Sequence, residues 1–176
     1  MDKMQTKLYV AYGSNINRAQ MTYRCPGASY FASGIIKDYV LQFKGYPNNS
    51  HATIAQAYGA SVPVVVWNIT ETDEKYLDIY EGYPQYYQKE IVSVTLDDGT
   101  TVEAMVYVMD KSQSFGMPSV LYLRTIDQGY KDFGLDLDAL YSALSTDTDT
   151  QQYYRNAVDE ADAEIRRRFP EPPETF

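Results

Sequence analysis

Two short stretches of the chain carry residues suited to chemistry. In the first, Tyr12-Gly13-Ser14-Asn15, the sequence KLYVAYGSN reads as a strand entering a turn, and NRAQMTYR reads as a short helix after it. A strand that opens into a helix presents unpaired backbone N–H groups, which suit an anion such as a carboxylate. Gly13 lets a ligand approach the backbone, and Ser14 and Asn15 add hydrogen-bonding side chains. The same four residues also fit a plain tight turn followed by a helix cap. They do not form a phosphate loop, because neither GxxxxGK[ST] nor GxGxxG occurs. In the second stretch, YLDIYEGYPQYY, Glu81 falls at the C-terminal end of a predicted helix, where the helix dipole disfavours a carboxylate. The dipole and burial among tyrosines would both raise its pKa toward a value useful for proton transfer. A purely structural glutamate is the competing reading. Asp78, three residues earlier, reads as a solvated or capping carboxylate.

Other chemistries find less support. With one cysteine, Cys25, and one histidine, His51, the chain has neither an internal disulfide nor a Cys/His set for zinc, so metal-free chemistry is expected. Nucleophilic catalysis by Cys25 or Ser14 would need His51 as partner, but a strand-borne histidine reads as a surface or hydrogen-bonded sheet residue. Fifteen Lys and Arg against 24 Asp and Glu give a net charge of −9, which repels phosphate backbones and anionic membranes. The run Arg166-Arg167-Arg168 therefore reads as a solvated helix end rather than a nucleic-acid contact. No stretch approaches the roughly 20 apolar residues of a membrane span, and MDKMQTKLYV lacks the apolar region of a signal peptide. No nucleic-acid or membrane partner and a cytoplasmic location are expected.

The surrounding pattern predicts the elements that hold these residues. GIIKDYVLQFKGY alternates as a strand, PNNS breaks it, HATIAQAY begins another, and VPVVVWNI is an apolar run suited to a strand covered on both faces. Thr70 or Thr72 could cap the helix that ends at Gly82 and Pro84. QKEIVSVTL and TTVEAMVYVM flank Asp97-Asp98-Gly99, a strong hairpin signal. Helices are predicted at 118–132, at 137–145 and over QQYYRNAVDEADAEIRRRF. Strands before residue 110 and helices after it indicate an α+β fold. The length suits one domain, residues 1–170, with a frayed tail at 171–176. Eighteen tyrosines suit half-buried sheet surfaces and the walls of a pocket for a small polar ligand.

Taken together, Tyr12-Gly13-Ser14-Asn15, the segment His51-Ala52-Thr53-Ile54 followed by VPVVVWNI, LDIYEGYPQYYQKEIVSV and PSVLYLRTIDQGYKDFGL resemble the γ-glutamylcyclotransferase family, including its γ-glutamylamine-cleaving relatives. The resemblance runs from about residue 7 to 146 and rests on four landmarks in order. It implies a small mixed, partly closed β-barrel surrounded by helices. It also implies a cofactor-independent enzyme of acyltransferase or lyase type that cyclises a small γ-glutamyl substrate, releasing 5-oxoproline and an amine. The match assigns Tyr12, Gly13, Ser14 and Asn15 to holding the γ-glutamyl group and Glu81 to general acid/base catalysis. Tyr87 and Tyr122 match aromatic positions around the pocket. Two departures stand out: Ile16 replaces a leucine, and the segment from Glu81 to Tyr87 is compressed, which bears on the leaving-group side. A monomer or homodimer is compatible with all of this. The alternative is a non-catalytic member of the fold that binds a small molecule or a protein.

Overall fold

The computed structural model describes residues 5–170, so the tail expected to fray at 171–176 lies outside the described residues. Five strands, β1 (Thr6–Ala11), β2 (Ser29–Tyr46), β3 (Asn49–Thr70), β4 (Tyr87–Leu96) and β5 (Thr101–Met109), close into a barrel in the order β1-β3-β2-β4-β5. The barrel is mixed: β1 and β5 run parallel, and every other seam is antiparallel. Two seams are short. β1 meets β5 through Tyr9–Met105 and Val10–Val106, and β2 meets β4 through Gly34–Leu96 and Ile35–Thr95. Around the barrel lie α1 (Arg18–Arg24), α2 (Glu71–Glu81), α3 (Val120–Asp132), α4 (Leu137–Ser142) and α5 (Thr148–Arg168). Among the described residues, no helix is long and apolar enough to cross a membrane.

HATIAQAY and VPVVVWNI, which read as separate strands, form one strand that bends. Lys37 pairs with Ser61 but Tyr39 pairs with Gln56, so residues 57–60 bulge outward opposite Asp38. Asp38 adopts φ 60° and accepts a hydrogen bond from the Gly59 amide at 2.8 Å, which stabilises the bend. Beyond it Val62, Val64, Val65 and Val66 are fully buried, consistent with a strand covered on both faces. Aliphatic area of this kind contributes roughly 25 cal/mol per Å² removed from water, so this run anchors the core.

Local chemistry sets the ends of α2. The Thr70 hydroxyl accepts from the Asp73 amide at 3.1 Å while Asp73 Oδ2 accepts from the Thr70 amide at 2.9 Å, a reciprocal cap. Gly82 then takes a left-handed conformation (φ 61°) and its amide bonds the Asp78 and Ile79 carbonyls, which ends the helix at Glu81. Leu77 and Asp73 are buried, and Glu81 lies four residues beyond Leu77 on the same helical face. Asp78 is neither free nor a cap. It pairs with Lys89 of β4 at 2.7 Å and accepts from the Tyr107 hydroxyl of β5 at 2.6 Å, so it braces α2 against the barrel. The reason lies in the closure of the barrel, which brings β4 and β5 beneath the last turn of α2.

The third helix docks onto the Gly13-Ser14-Asn15 segment. Ser119 caps α3 by accepting from the Tyr122 amide, which sets Tyr122 in the first turn. At Gly129 a Cβ would fall 2.7 Å from the Asn17 amide nitrogen, so glycine permits the close approach of α3 to this loop. Asn17 joins the two from the other side: its Oδ1 caps α1 and its Nδ2 donates to the Thr125 carbonyl at 3.1 Å.

Candidate active site

At the end of β1 the chain turns through a short 3-10 segment, Ser14–Ile16, and continues into α1. A cavity of about 180 Å³ opens beside this turn, and Tyr12, Gly13, Ser14, Asn15, Glu81, Tyr87 and Tyr122 all border it. Seven positions separated by up to 110 residues in sequence thus meet at one wall-to-wall space. Gly13 is needed for the fit, since a Cβ there would stand 3.0 Å from the Ala52 Cβ and 3.4 Å from the Tyr122 hydroxyl.

Asn15 is the hub. Only 4% exposed, it donates from Nδ2 to the Tyr9 hydroxyl at 2.9 Å and to Glu81 Oε1 at 3.2 Å. Its Oδ1 accepts from Arg24 Nη1 at 2.9 Å, and its backbone carbonyl accepts from Trp67 Nε1 at 3.1 Å. Every polar group of this buried amide is therefore engaged, as buried polar groups must be to avoid a desolvation penalty.

Glu81 keeps partial solvent access through the cavity, yet protein surrounds it closely. Burial pushes its carboxyl up to about 7, against the smaller opposing pull of the Arg24 charge and the Asn15 hydrogen bond. A carboxyl poised near neutrality can accept and return a proton with little loss in either direction.

The expected tyrosines serve chiefly as walls. Tyr12 spends its hydroxyl on the Tyr107 carbonyl at 2.6 Å and Tyr87 spends its own on the Ala52 carbonyl at 2.8 Å. Tyr122 instead accepts from the Ala52 amide at 3.1 Å, which leaves its own proton to donate. Burial raises the phenols of Tyr9, Tyr12, Tyr87 and Tyr122 above the ordinary value, so all four remain neutral at physiological pH.

Sequence reasoning missed several lining residues, among them Tyr9, Arg24, Tyr80 and Tyr107. Tyr9 and Tyr107 come from β1 and β5, Arg24 and Tyr80 from the ends of α1 and α2, and only the assembled barrel and helices bring the four together, a relationship with no local signature. His51, read as a surface or sheet residue, also borders the cavity, with its ring against Tyr122 at 4.9 Å between centroids. Burial lowers its pKa, which keeps it neutral. Cys25 is fully buried with its thiol directed to the Asp73 carbonyl, and burial pushes that thiol up to about 12, which disarms it as a nucleophile.

Residues 9–127 match the family model described as gamma-glutamyl cyclotransferase, AIG2-like. All seven expected site residues lie inside that stretch. The gamma-glutamylcyclotransferase of Homo sapiens is 31% identical over 139 residues, covering 74% of this chain and 73% of the human protein. The gamma-glutamylcyclotransferase of Bos taurus is 31% identical over 140 residues, with the same coverage. A solved structure bearing the name gamma-glutamyl cyclotransferase superposes with a TM-score of 0.73 at 25% identity, over 86% of this chain and 99% of that one.

Proposed function

The chain belongs to the gamma-glutamyl cyclotransferase, AIG2-like family, and from that premise we propose that it cyclises a γ-glutamyl amino acid or γ-glutamyl amine, releasing 5-oxoproline and the free amine. The observation that carries this reading is Glu81, a carboxyl raised to about 7 in the cavity that Tyr12, Gly13, Ser14 and Asn15 also line. In this reading Glu81 takes a proton from the substrate α-ammonium, and the freed amine attacks the γ-carbonyl carbon. A bond forms between the α-nitrogen and the γ-carbon, and the bond from that carbon to the departing nitrogen breaks. Two protons leave the α-nitrogen in all, and the departing amine gains both, with Glu81 carrying them one at a time.

Because nucleophile and electrophile belong to one molecule, the main task of the protein is to hold the folded rotamer of the glutamyl chain. For such intramolecular reactions the effective molarity can reach about 10⁵ M or more. The small cavity and its tyrosine walls support that role. The Gly13, Ser14 and Asn15 amides and the Tyr122 hydroxyl would supply donors for the α-carboxylate or for the oxyanion that develops on the γ-carbonyl oxygen. No residue of the chain needs to form a covalent intermediate. The test is a panel of γ-glutamyl amino acids and amines assayed for 5-oxoproline, with Glu81→Gln as the control. Release by the wild type and its loss in the variant support the reading; equal release by both overturns it.

A further inference from the structure

Arg24 borders the cavity and reaches Glu81 through a third residue, Asn15. Among the described residues it is the one lysine or arginine that lines the cavity. Its guanidinium lies over the Tyr80 ring, 4.5 Å from the centroid, and its Nη1 donates to Asn15 Oδ1 at 2.9 Å. The same asparagine donates to Glu81 from Nδ2.

An asparagine amide can in principle turn over and exchange its oxygen for its NH2. A guanidinium removes that freedom, because it has five donors and no acceptor. Beside Arg24 only the oxygen of Asn15 is tolerated, so the NH2 must face Glu81 and the Tyr9 hydroxyl. Gln20 also reaches Asn15 Oδ1, at 3.5 Å, but its own amide could turn with that of Asn15. The Tyr80 ring, 4.5 Å from the guanidinium carbon, helps to hold Arg24 in place through a cation–π contact. We propose that Arg24 is a positioning residue for Glu81: by locking the Asn15 amide it ensures that the carboxyl meets a donor and never an acceptor.

The lock has a direction. With NH2 facing it, ionised Glu81 gains a hydrogen bond, whereas protonated Glu81 finds no oxygen on Asn15 to receive its proton. Removing Arg24 frees the amide to turn and to stabilise the protonated acid, and also removes a nearby positive charge. Both changes push the Glu81 pKa upward from about 7. The other titratable groups around Glu81 do not compete. Tyr9 and Tyr12 from the β1 end, Cys25 after α1, Tyr86 just before β4, Tyr87 from β4, Tyr107 from β5 and Tyr122 from α3 all have raised pKa values and stay uncharged near neutrality. His51 from β3 borders the same cavity with a lowered pKa and is neutral as well. That leaves Arg24 as the fixed charge acting on Glu81.

The catalytic consequence rests on the reading of Glu81 as proton carrier, but the positioning itself can be measured without turnover. Titration of the Glu81 side-chain carboxyl by ¹³C NMR, assigned against Glu81→Gln, should place it near 7 in the wild type and about one unit or more higher in Arg24→Met. Arg24→Lys, which keeps the charge and a donor, should recover at least half of that shift, and Arg24→Gln, which is neutral and can face Asn15 with either end of its amide, carries the test if Arg24→Met does not fold, with the titration again expected to move up. The shift caused by Arg24→Met should be clearly smaller in an Asn15→Leu background, because the part that acts through the Asn15 amide is lost while the direct effect of the Arg24 charge remains. In the activity assay the acid limb of kcat/KM should move up with the titration, with kcat at pH 7 falling more than KM rises. An unchanged Glu81 titration in Arg24→Met, or shifts that simply add in the double variant, would overturn the proposal. A wild type that releases no 5-oxoproline would overturn the cyclotransferase reading alone and leave the titration result standing.

Discussion

Asn15 Nδ2 stands 3.2 Å from Glu81 Oε1, joining the loop after β1 to the last residue of α2 across 66 positions of sequence. The contact is a single hydrogen bond to a partly ionised acid, worth on the order of 1.5–3 kcal/mol when the partner is charged. It marks the point where a loop suited to an amino-acid head group meets a carboxyl suited to moving its protons. Most of the consequences below can be tested at this point.

Replacing Glu81 with glutamine should abolish 5-oxoproline release, with kcat falling by about 10²–10⁴ if the group acts as general base and acid. The same variant should be more stable than the wild type at neutral pH. The sign follows from a folded-state pKa near 7 against 4.5 for the unfolded group: the folded state binds the proton more tightly, so stability from this group is full below 4.5 and lost as pH rises through 7. The stability difference between Glu81→Gln and wild type should therefore grow by roughly 3 kcal/mol from pH 4 to pH 8. Urea unfolding at both pH values measures it, and a difference independent of pH would contradict the elevated pKa.

The pH dependence of turnover carries the same signature. Since the base form of Glu81 starts the reaction, kcat/KM should fall tenfold per unit as pH drops below about 7. A limb found near 4.5 instead would mean that an exposed carboxyl, not this one, limits the rate. Initial rates between pH 5 and pH 9 decide the matter.

Tyr87→Phe separates wall from chemistry. Its hydroxyl is committed to the Ala52 carbonyl at 2.8 Å, so the loss should appear as about 1–3 kcal/mol of stability, with kcat changed less than threefold. Tyr122→Phe, which removes a hydroxyl that still has a proton to donate, should lower kcat/KM by more than Tyr87→Phe does. Thermal melts and steady-state kinetics on the two variants give the comparison.

Gly129→Ala tests the docking of α3 on the loop. A Cβ placed 2.7 Å from the Asn17 nitrogen and 2.9 Å from the Ile16 carbonyl carbon must displace backbone, which costs about 1–3 kcal/mol. Because the displaced backbone leads directly into Asn15, kcat/KM should drop as well, although residue 129 does not border the cavity. Full activity with lowered thermal stability would mean that the loop holds its shape without α3.

Much of the scaffold was legible in the chain itself. The hairpin at Asp97-Asp98-Gly99, the helix ending at Gly82 and the turn at Tyr12-Gly13-Ser14-Asn15 all follow from local preferences, which neighbouring residues express wherever the chain goes. Glu81 stood out for the same reason, as a carboxylate at a helix end that disfavours it. Only the closed barrel decided the rest. The continuity of β3 through its bulge depends on pairing with β2, and the strut made by Asp78 depends on β4 and β5 passing beneath α2. Arg24 gave no sign in the sequence, and His51, which stood out only as part of a landmark and as a nucleophile's possible partner, gave none of its place on the cavity wall, because a side chain becomes part of a site by meeting others in space. The pKa near 7 has the same origin: it comes from exclusion of water around Glu81, and desolvation is created by the packing of distant segments rather than by any short stretch of residues.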